Sequence, residues 1–311
     1  MSKKIITVFG ATGAAGGSVA KYLLEDGTFA VRAVTRNASS AAAQALKAQG
    51  AEVVEADLDK PDTIPATLVG AYGVSALTDF WTLLPRIGDA EKTQAAEYAQ
   101  GVVLVDAAKA AGVQHFVWFT LPHSNVPHFE GKYQVELYLK ASGVPHTNFV
   151  NAFYYENLVK EGFGITKRAS DGSLSIEIPI PADVYLPFYS VGQTGAWILP
   201  IFKNPSEYLG KQVLGASEHL TPNQVAKILS SALDTTVKAK DVSKEEFAAM
   251  ATSDHVVVRE LWLNNTWFAE NRQPPNSVMN TSASLKVFPG AYKLGEFVKN
   301  NEWFRKAITS V

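Results

Sequence analysis

Residues 5–17 read I-I-T-V-F-G-A-T-G-A-A-G-G, and their reading decides the first half of the chain. Positions 5–9 form an apolar run of strand length, the pattern of a parallel strand covered on both faces. Gly10, Gly13 and Gly16 follow at three-residue spacing. From 16 to 25, Val19, Ala20, Leu23 and Leu24 make one apolar helical stripe. In this strand, turn and helix context the glycines point to a dinucleotide. A side chain at the turn would hinder the approach of a pyrophosphate to the free N–H groups of the helix start. Glycines also open turns in proteins that bind nothing, so the cofactor reading depends on what lies further along.

Twenty positions past Gly16 the chain reads Thr35-Arg36-Asn37. An NAD site usually places Asp or Glu here to accept hydrogen bonds from the ribose hydroxyls. Arg36 offers a fork of donors instead, which suits a 2′-phosphate and favours NADP(H). Asp57-Leu58, after the third strand, is a candidate contact for the adenine, and Asp57 is equally suited to capping the next turn.

Outward from this unit the chain keeps alternating. Strands are expected at 30–35, from 52 to 55, and at 73–77, 115–119 and 147–151. Helices are expected at 41–48 (stopped by Gly50), 91–111 (stopped by Gly112) and 132–141. Repeated β-α with crossover-length helices predicts an α/β fold, a doubly wound parallel Rossmann-type sheet over residues 1–155. Beyond that the rhythm loosens. Residues 156–311 are expected to form mainly a smaller C-terminal α/β lobe for substrate or partner, with 190–220 returning to the first domain. Within it, 171–190 reads as short strands and loops, 193–202 as a helix and 212–215 as a strand. Thr221 with Gln224 and Ser243 with Glu246 are capping boxes that open helices. Residues 258–269 look like an aromatic-rich helix and 297–308 like a closing helix.

Composition excludes several classes. With 28 Lys+Arg against 30 Asp+Glu, the net charge of -2 gives no electrostatic case for direct nucleic-acid binding. The basic pair Lys167-Arg168 reads as a solvated face. The chain has no cysteine, which rules out disulfides, thiolate catalysis and thiolate metal sites. No His, Asp and Glu spacing resembles a metal set. The apolar run after Lys3-Lys4 is short, and no 18-residue uncharged apolar stretch follows, so neither signal peptide nor membrane span is expected. Cytoplasm or nucleus is the expected location.

The segments V-F-G-A-T-G-A-A-G-G-S-V-A, L-L-E-D-G-T-F, V-T-R-N, Q-G-A-E-V-V, T-D-F-W, H-F-E-G-K and Y-Y-E-N-L make the chain similar to the NmrA-like family, atypical relatives of the short-chain dehydrogenase/reductases. The resemblance is strong over about 3–160 and especially close to the branch that binds NADP(H) as a redox-responsive regulator. It implies that Gly10, Thr12, Gly13 and Gly16, with Ala14 and Ala15 between them, form the pyrophosphate loop, and that Arg36 is the 2′-phosphate ligand. It places Thr78, Asp79 (where relatives often carry Asn) and Phe80 beside the nicotinamide ribose. Lys132 matches the lysine that holds that ribose, and Tyr154, Tyr155 and Asn157 match the segment closing over the nicotinamide side.

Two departures bear on function. Four residues before Lys132, where short-chain enzymes carry the proton-donating tyrosine, stands His128. At 190–195 the chain reads S-V-G-Q-T-G, with Gln193 where the family often has Asp. The resemblance therefore implies a regulator acting through protein contacts. The alternative is an NADPH-dependent reductase of a small quinone, carbonyl or imine, with Lys132 and His128 as catalytic candidates and Phe80, Trp81, Tyr154 and Trp262 lining an apolar substrate pocket. A dinucleotide serves both readings. The further partner is a regulatory protein in one and a small aromatic or quinone substrate in the other, with a homodimer as the assembly to test.

Overall fold

The computed structural model describes residues 2–160, 163–271 and 279–311. In chain order the first elements are β1 (Ile5–Val8), α1 (Ala14–Asp26), β2 (Ala30–Thr35), α2 (Ala41–Ala48), β3 (Glu52–Glu55), α3 (Ile64–Thr67) and β4 (Ala71–Ala76). There follow α4 (Phe80–Ile87), α5 (Ala90–Ala110), β5 (His115–Thr120), α6 (Pro127–Ser142) and β6 (His146–Asn151). Next come β7 (Phe153–Tyr154), β8 (Thr166–Arg168), β9 (Leu174–Ile176), β10 (Leu186–Tyr189), α7 (Thr194–Lys203), α8 (Pro205–Tyr208) and β11 (Gln212–Gly215). The last are β12 (Glu218–Leu220), α9 (Pro222–Leu233), β13 (Val237–Ala239), α10 (Lys244–Ala249), α11 (Val256–Asn271), α12 (Thr281–Val287), α13 (Leu294–Asn300) and α14 (Glu302–Thr309).

The chain forms two compact units, one of Met1–Asn151 with Gly192–Val213 and the other of Ala152–Val191 with Leu214–Val311. The first holds a seven-stranded parallel sheet in the order β11-β6-β5-β4-β1-β2-β3. Val8 of β1 pairs with Ala33 on one side and Ser75 on the other, so strand order reverses at β1 and β4. A crevice outside the carboxyl ends at such a reversal is where open α/β sheets take ligands. Phe116 and Trp118 of β5 pack with Leu104, Val105 and Ala108 of α5 and with Val135 and Leu139 of α6, burying the sheet face beneath that crevice.

The second unit carries two three-stranded sheets, β12-β10-β7 and β13-β9-β8. Tyr155 packs tilted on Phe297 and Phe297 edge-on to Phe304 in its core, at centroid separations of 5.2 and 5.0 Å. Both expected capping boxes form, at Thr221 with Gln224 and at Ser243 with Glu246.

Several boundaries differ from the sequence expectation. The α6 helix starts at Pro127 rather than 132, because proline at the first helical position needs no N–H partner there. His128 therefore lies in the helix's first turn and not in a loop. Residues 80–87 form a helix that was not expected: Asp79 caps it by accepting the Thr82 N–H at 3.2 Å. The closing segment is two helices, since Asn301 breaks it in extended conformation and caps the second at the Phe304 N–H. Lys167-Arg168 is engaged rather than merely solvated. Arg168 donates to the carbonyls of Thr309, at the end of α14, and of Val311, and Lys167 pairs with Glu177 at 2.6 Å.

Candidate functional site

The glycine turn joins β1 to α1 at the carboxyl edge of the sheet. Gly10 has φ of 65°, the left-handed region that favours glycine, and its carbonyl accepts the Gly13 N–H at 2.9 Å. Gly13 is the N-cap of α1, and no side chain caps the first turn. The leading N–H groups of Ala14 and Ala15 therefore open the helix with its positive end, the arrangement that binds anions. A Cβ on residue 16 would lie 2.3 Å from the Gly10 carbonyl oxygen, whereas one on residue 13 would meet only that oxygen, at 3.3 Å. Gly16 lets the helix close on the turn, and Gly13 keeps the outer side of the turn open. This donor set and its bare surface fit a pyrophosphate.

At the end of β2, Thr35 shares a 3.4 Å contact with Thr12 across the turn, and Arg36 beyond it is exposed. No acid stands at the strand end, and this fits a 2′-phosphate better than a bare ribose. Asp57 carries out the capping alternative: its carboxylate accepts the Asp59 N–H at 3.1 Å, and Leu58 beside it is half-buried against the core.

A buried polar cluster closes the carboxyl ends of β4 and β5. Lys132 Nζ donates to the Thr78 carbonyl at 2.8 Å, to Thr78 Oγ1 at 3.1 Å and to Glu97 Oε1 at 2.6 Å. Thr78 Oγ1 donates to the same carboxylate oxygen at 2.9 Å. The Trp118 indole donates to the Lys132 carbonyl at 2.9 Å and so ties this turn of α6 to β5. Gly131 sits where a Cβ would come within 3.2 Å of Glu97 Oε2, and so allows α6 to approach α5 closely enough for lysine to reach glutamate. Removing one partner of such a pair would cost about 3–5 kcal/mol by leaving a buried charge alone.

Glu97 was not singled out from sequence. The signal was present in the register of α5, whose buried positions are Thr93, Glu97, Gly101, Leu104, Val105 and Ala108. A carboxylate on the buried stripe of a helix calls for a cationic partner.

Helical spacing puts His128 on the face of α6 that carries Lys132, one turn earlier. Its ring lies 4.9 Å from the Trp81 ring and 5.6 Å from that of Phe80, with Phe80 buried and Trp81 half-buried. Asp79 is spent as the cap of α4, a role that Asn would also serve. Just before α6, His123 Nδ1 lies 2.8 Å from Glu130 Oε2.

The remaining candidates belong to the second unit. Tyr154, half-buried, packs edge-on to Tyr189 with centroids 5.2 Å apart, and Asn157 lies in the one-turn helix Tyr155–Val159. Tyr155 is fully buried, and its hydroxyl donates to Glu218 Oε1 at 2.6 Å. Burial, followed by the Glu218 charge, pushes that phenol far above its ordinary range. Its hydroxyl is thereby committed to the unit's own core. Trp262 is half-buried on α11.

The sequence profile of the NmrA-like family matches residues 2–298. The chain belongs to the NmrA-like family. Among its relatives is the NmrA-like family domain-containing oxidoreductase FrzB of a Cladobotryum species, 34% identical over 235 residues, covering 69% of each chain. Another is the corresponding oxidoreductase malD of Malbranchea aurantiaca, 33% identical over 236 residues, covering 70% of this chain and 69% of that one. The fold matches the crystal structure of NmrA, a negative transcriptional regulator, in complex with NADP. The TM-score is 0.75 at 23% identity, covering 96% of this chain and 95% of that one. Among the described residues, no helix is long and apolar enough to cross a membrane.

Proposed function

We propose that this NmrA-like protein is an NADPH-dependent reductase of a small, flat electrophile of the quinone, carbonyl or imine class. The observation that carries the reading is the buried Lys132 ammonium held at the Thr78 carbonyl, one helical turn from a histidine set against two aromatic rings. The relatives FrzB and malD, both described as oxidoreductases, support it.

NADPH, when bound, supplies the hydride. The first-turn N–H groups of α1 would receive the pyrophosphate, Arg36 the 2′-phosphate and Lys132 the nicotinamide ribose. Phe80 and Trp81 would exclude water from one face of the acceptor. His128 takes the place of the phenol as the group that gives a proton to the oxygen or nitrogen on which charge develops.

One observation favours the regulator reading: a histidine at position 128 leaves the site without the phenol that serves the short-chain enzymes. Turnover separates the two. NADPH consumption, followed across a panel of quinones, aldehydes and imines, is expected to depend on the acceptor. It should fall about a hundredfold or more in Lys132→Ala and about tenfold or more in His128→Ala. Tight NADPH binding with no acceptor-dependent consumption would reject the reductase and leave the regulator.

A further inference from the structure

An ammonium has three N–H donors, and those of Lys132 are all engaged within its own unit, two by Thr78 and one by Glu97. Glu97 has no exposed surface, and its Oε1 accepts from both Lys132 and the Thr78 hydroxyl. We propose that Glu97 is the positioning residue of this site. Its carboxylate holds Lys132 as a fixed ammonium that anchors the dinucleotide and does not carry the reaction's proton. The proposal rests on the reductase reading for what Lys132 anchors, and on geometry for what Glu97 does to it.

The frame around the pair is rigid. The Trp118 indole holds the backbone of residue 132, and Gly131 brings α6 so close to α5 that the lysine meets the carboxylate at 2.6 Å. A proton passed from Lys132 to a substrate would leave the Glu97 carboxylate buried with no counter-charge, which a protein interior strongly opposes. The proton of the reaction must then come from another group, and Lys132 acts by place and charge. Its longest bond, 3.1 Å to the Thr78 hydroxyl, is the one a ribose hydroxyl can replace with least loss. The Thr78 hydroxyl keeps Glu97 as its own acceptor when that bond is given up.

Glu97→Gln tests the charge separately from the shape. The amide retains an oxygen for Lys132 and Thr78, and its nitrogen takes the place of Oε2, which has no partner among the described residues. Two readouts are needed. The first, independent of cofactor, is the rate at which Lys132 is acetylated by acetic anhydride, read by peptide mass spectrometry. The reagent attacks only a neutral, mobile amine, so Lys132 should resist it in the unaltered protein and react about tenfold faster or more in Glu97→Gln. The second is NADPH affinity, expected to weaken about fivefold or more in Glu97→Gln at a temperature where circular dichroism shows the variant folded. Lys132 equally protected in Glu97→Gln would overturn the proposal. So would a released lysine with unchanged NADPH affinity, since Glu97 would then serve the fold alone. Should Glu97→Gln fail to fold, Glu97→Asp carries the test: drawing the carboxylate back by one methylene should raise acetylation about threefold, and an unchanged rate would overturn the proposal. If the unaltered protein binds no NADPH, the reductase reading fails separately and acetylation alone decides the role of Glu97; NADPH bound equally after Lys132→Met would overturn the anchoring role and the proposal with it.

Discussion

Arg32 and Arg36 stand four positions apart on β2 and just beyond it, and their surroundings divide their duties. Arg32 is buried: Nε donates to Glu52 at 2.8 Å, and its terminal nitrogen donates to the carbonyls of Thr67 and Val69. Arg36 is exposed at the strand end. Arg36→Ala should therefore weaken NADPH binding about tenfold or more and leave NADH binding and the melting temperature nearly unchanged. Equal affinity for the two dinucleotides in the unaltered protein would move the 2′-phosphate contact elsewhere. The glycines divide in the same way. Gly13→Val should abolish NADPH binding with the far-ultraviolet circular dichroism retained, since a side chain there covers the outer side of the turn. Gly16→Ala, whose Cβ would lie 2.3 Å from the Gly10 carbonyl oxygen, should lower stability itself by about 1–3 kcal/mol in denaturant titration.

At the scale of elements, the site depends on how closely α5 and α6 approach. Gly101 faces Val135, and a Cβ on residue 101 would meet Val135 Cγ2 at 2.3 Å. One turn away on α5, Glu97 faces Gly131 and the lysine that follows it. Two glycines on facing helices thus set the separation at which the buried ion pair forms. Gly101→Ala should force the helices apart and cost about 1–3 kcal/mol, with NADPH affinity falling as Lys132 withdraws from Thr78. Adding Val135→Ala should recover much of the loss by vacating the volume the new methyl needs. If the double variant is no more stable than the single one, helix separation is not what Gly101 governs.

For the whole molecule, acid should act through His115 at the start of β5. Its ring is fully buried, with Nε2 2.7 Å from Thr147 Oγ1, and burial, followed by the nearby His146, lowers its pKa from 6.5 to about 4. The folded chain therefore holds this histidine neutral where the unfolded chain would protonate it. Its contribution is complete above pH 6.5 and is lost as pH falls towards about 4, an effect of up to about 3 kcal/mol. Chemical denaturation across that window should show stability falling with acid, and His115→Gln should flatten the slope. An unchanged slope in that variant would place the acid sensitivity on other groups.

Short-range chemistry is what the amino-acid order alone encodes. The run at 5–9 and the three glycines after it specify strand, turn and helix through burial pattern and turn sterics. Arg36 is legible because a strand end with no acid and a guanidinium is a local fact. Lys132 and Thr78 were legible only through the family's motifs, and their meeting was not. A hydrogen bond between residues 54 positions apart depends on β4 and β5 lying side by side and on α6 beginning at Pro127. Glu97 became part of the site only when a glycine on one helix and a carboxylate on the next came into register. Tyr155 went the other way: its motif suggested a ligand contact, and the packing of Phe188, Phe297 and Glu218 around it drew its hydroxyl into the second unit's core. Sequence patterns carry burial and turn preference over a few residues. Which buried polar groups pair depends on distances that exist only once helices and strands have packed.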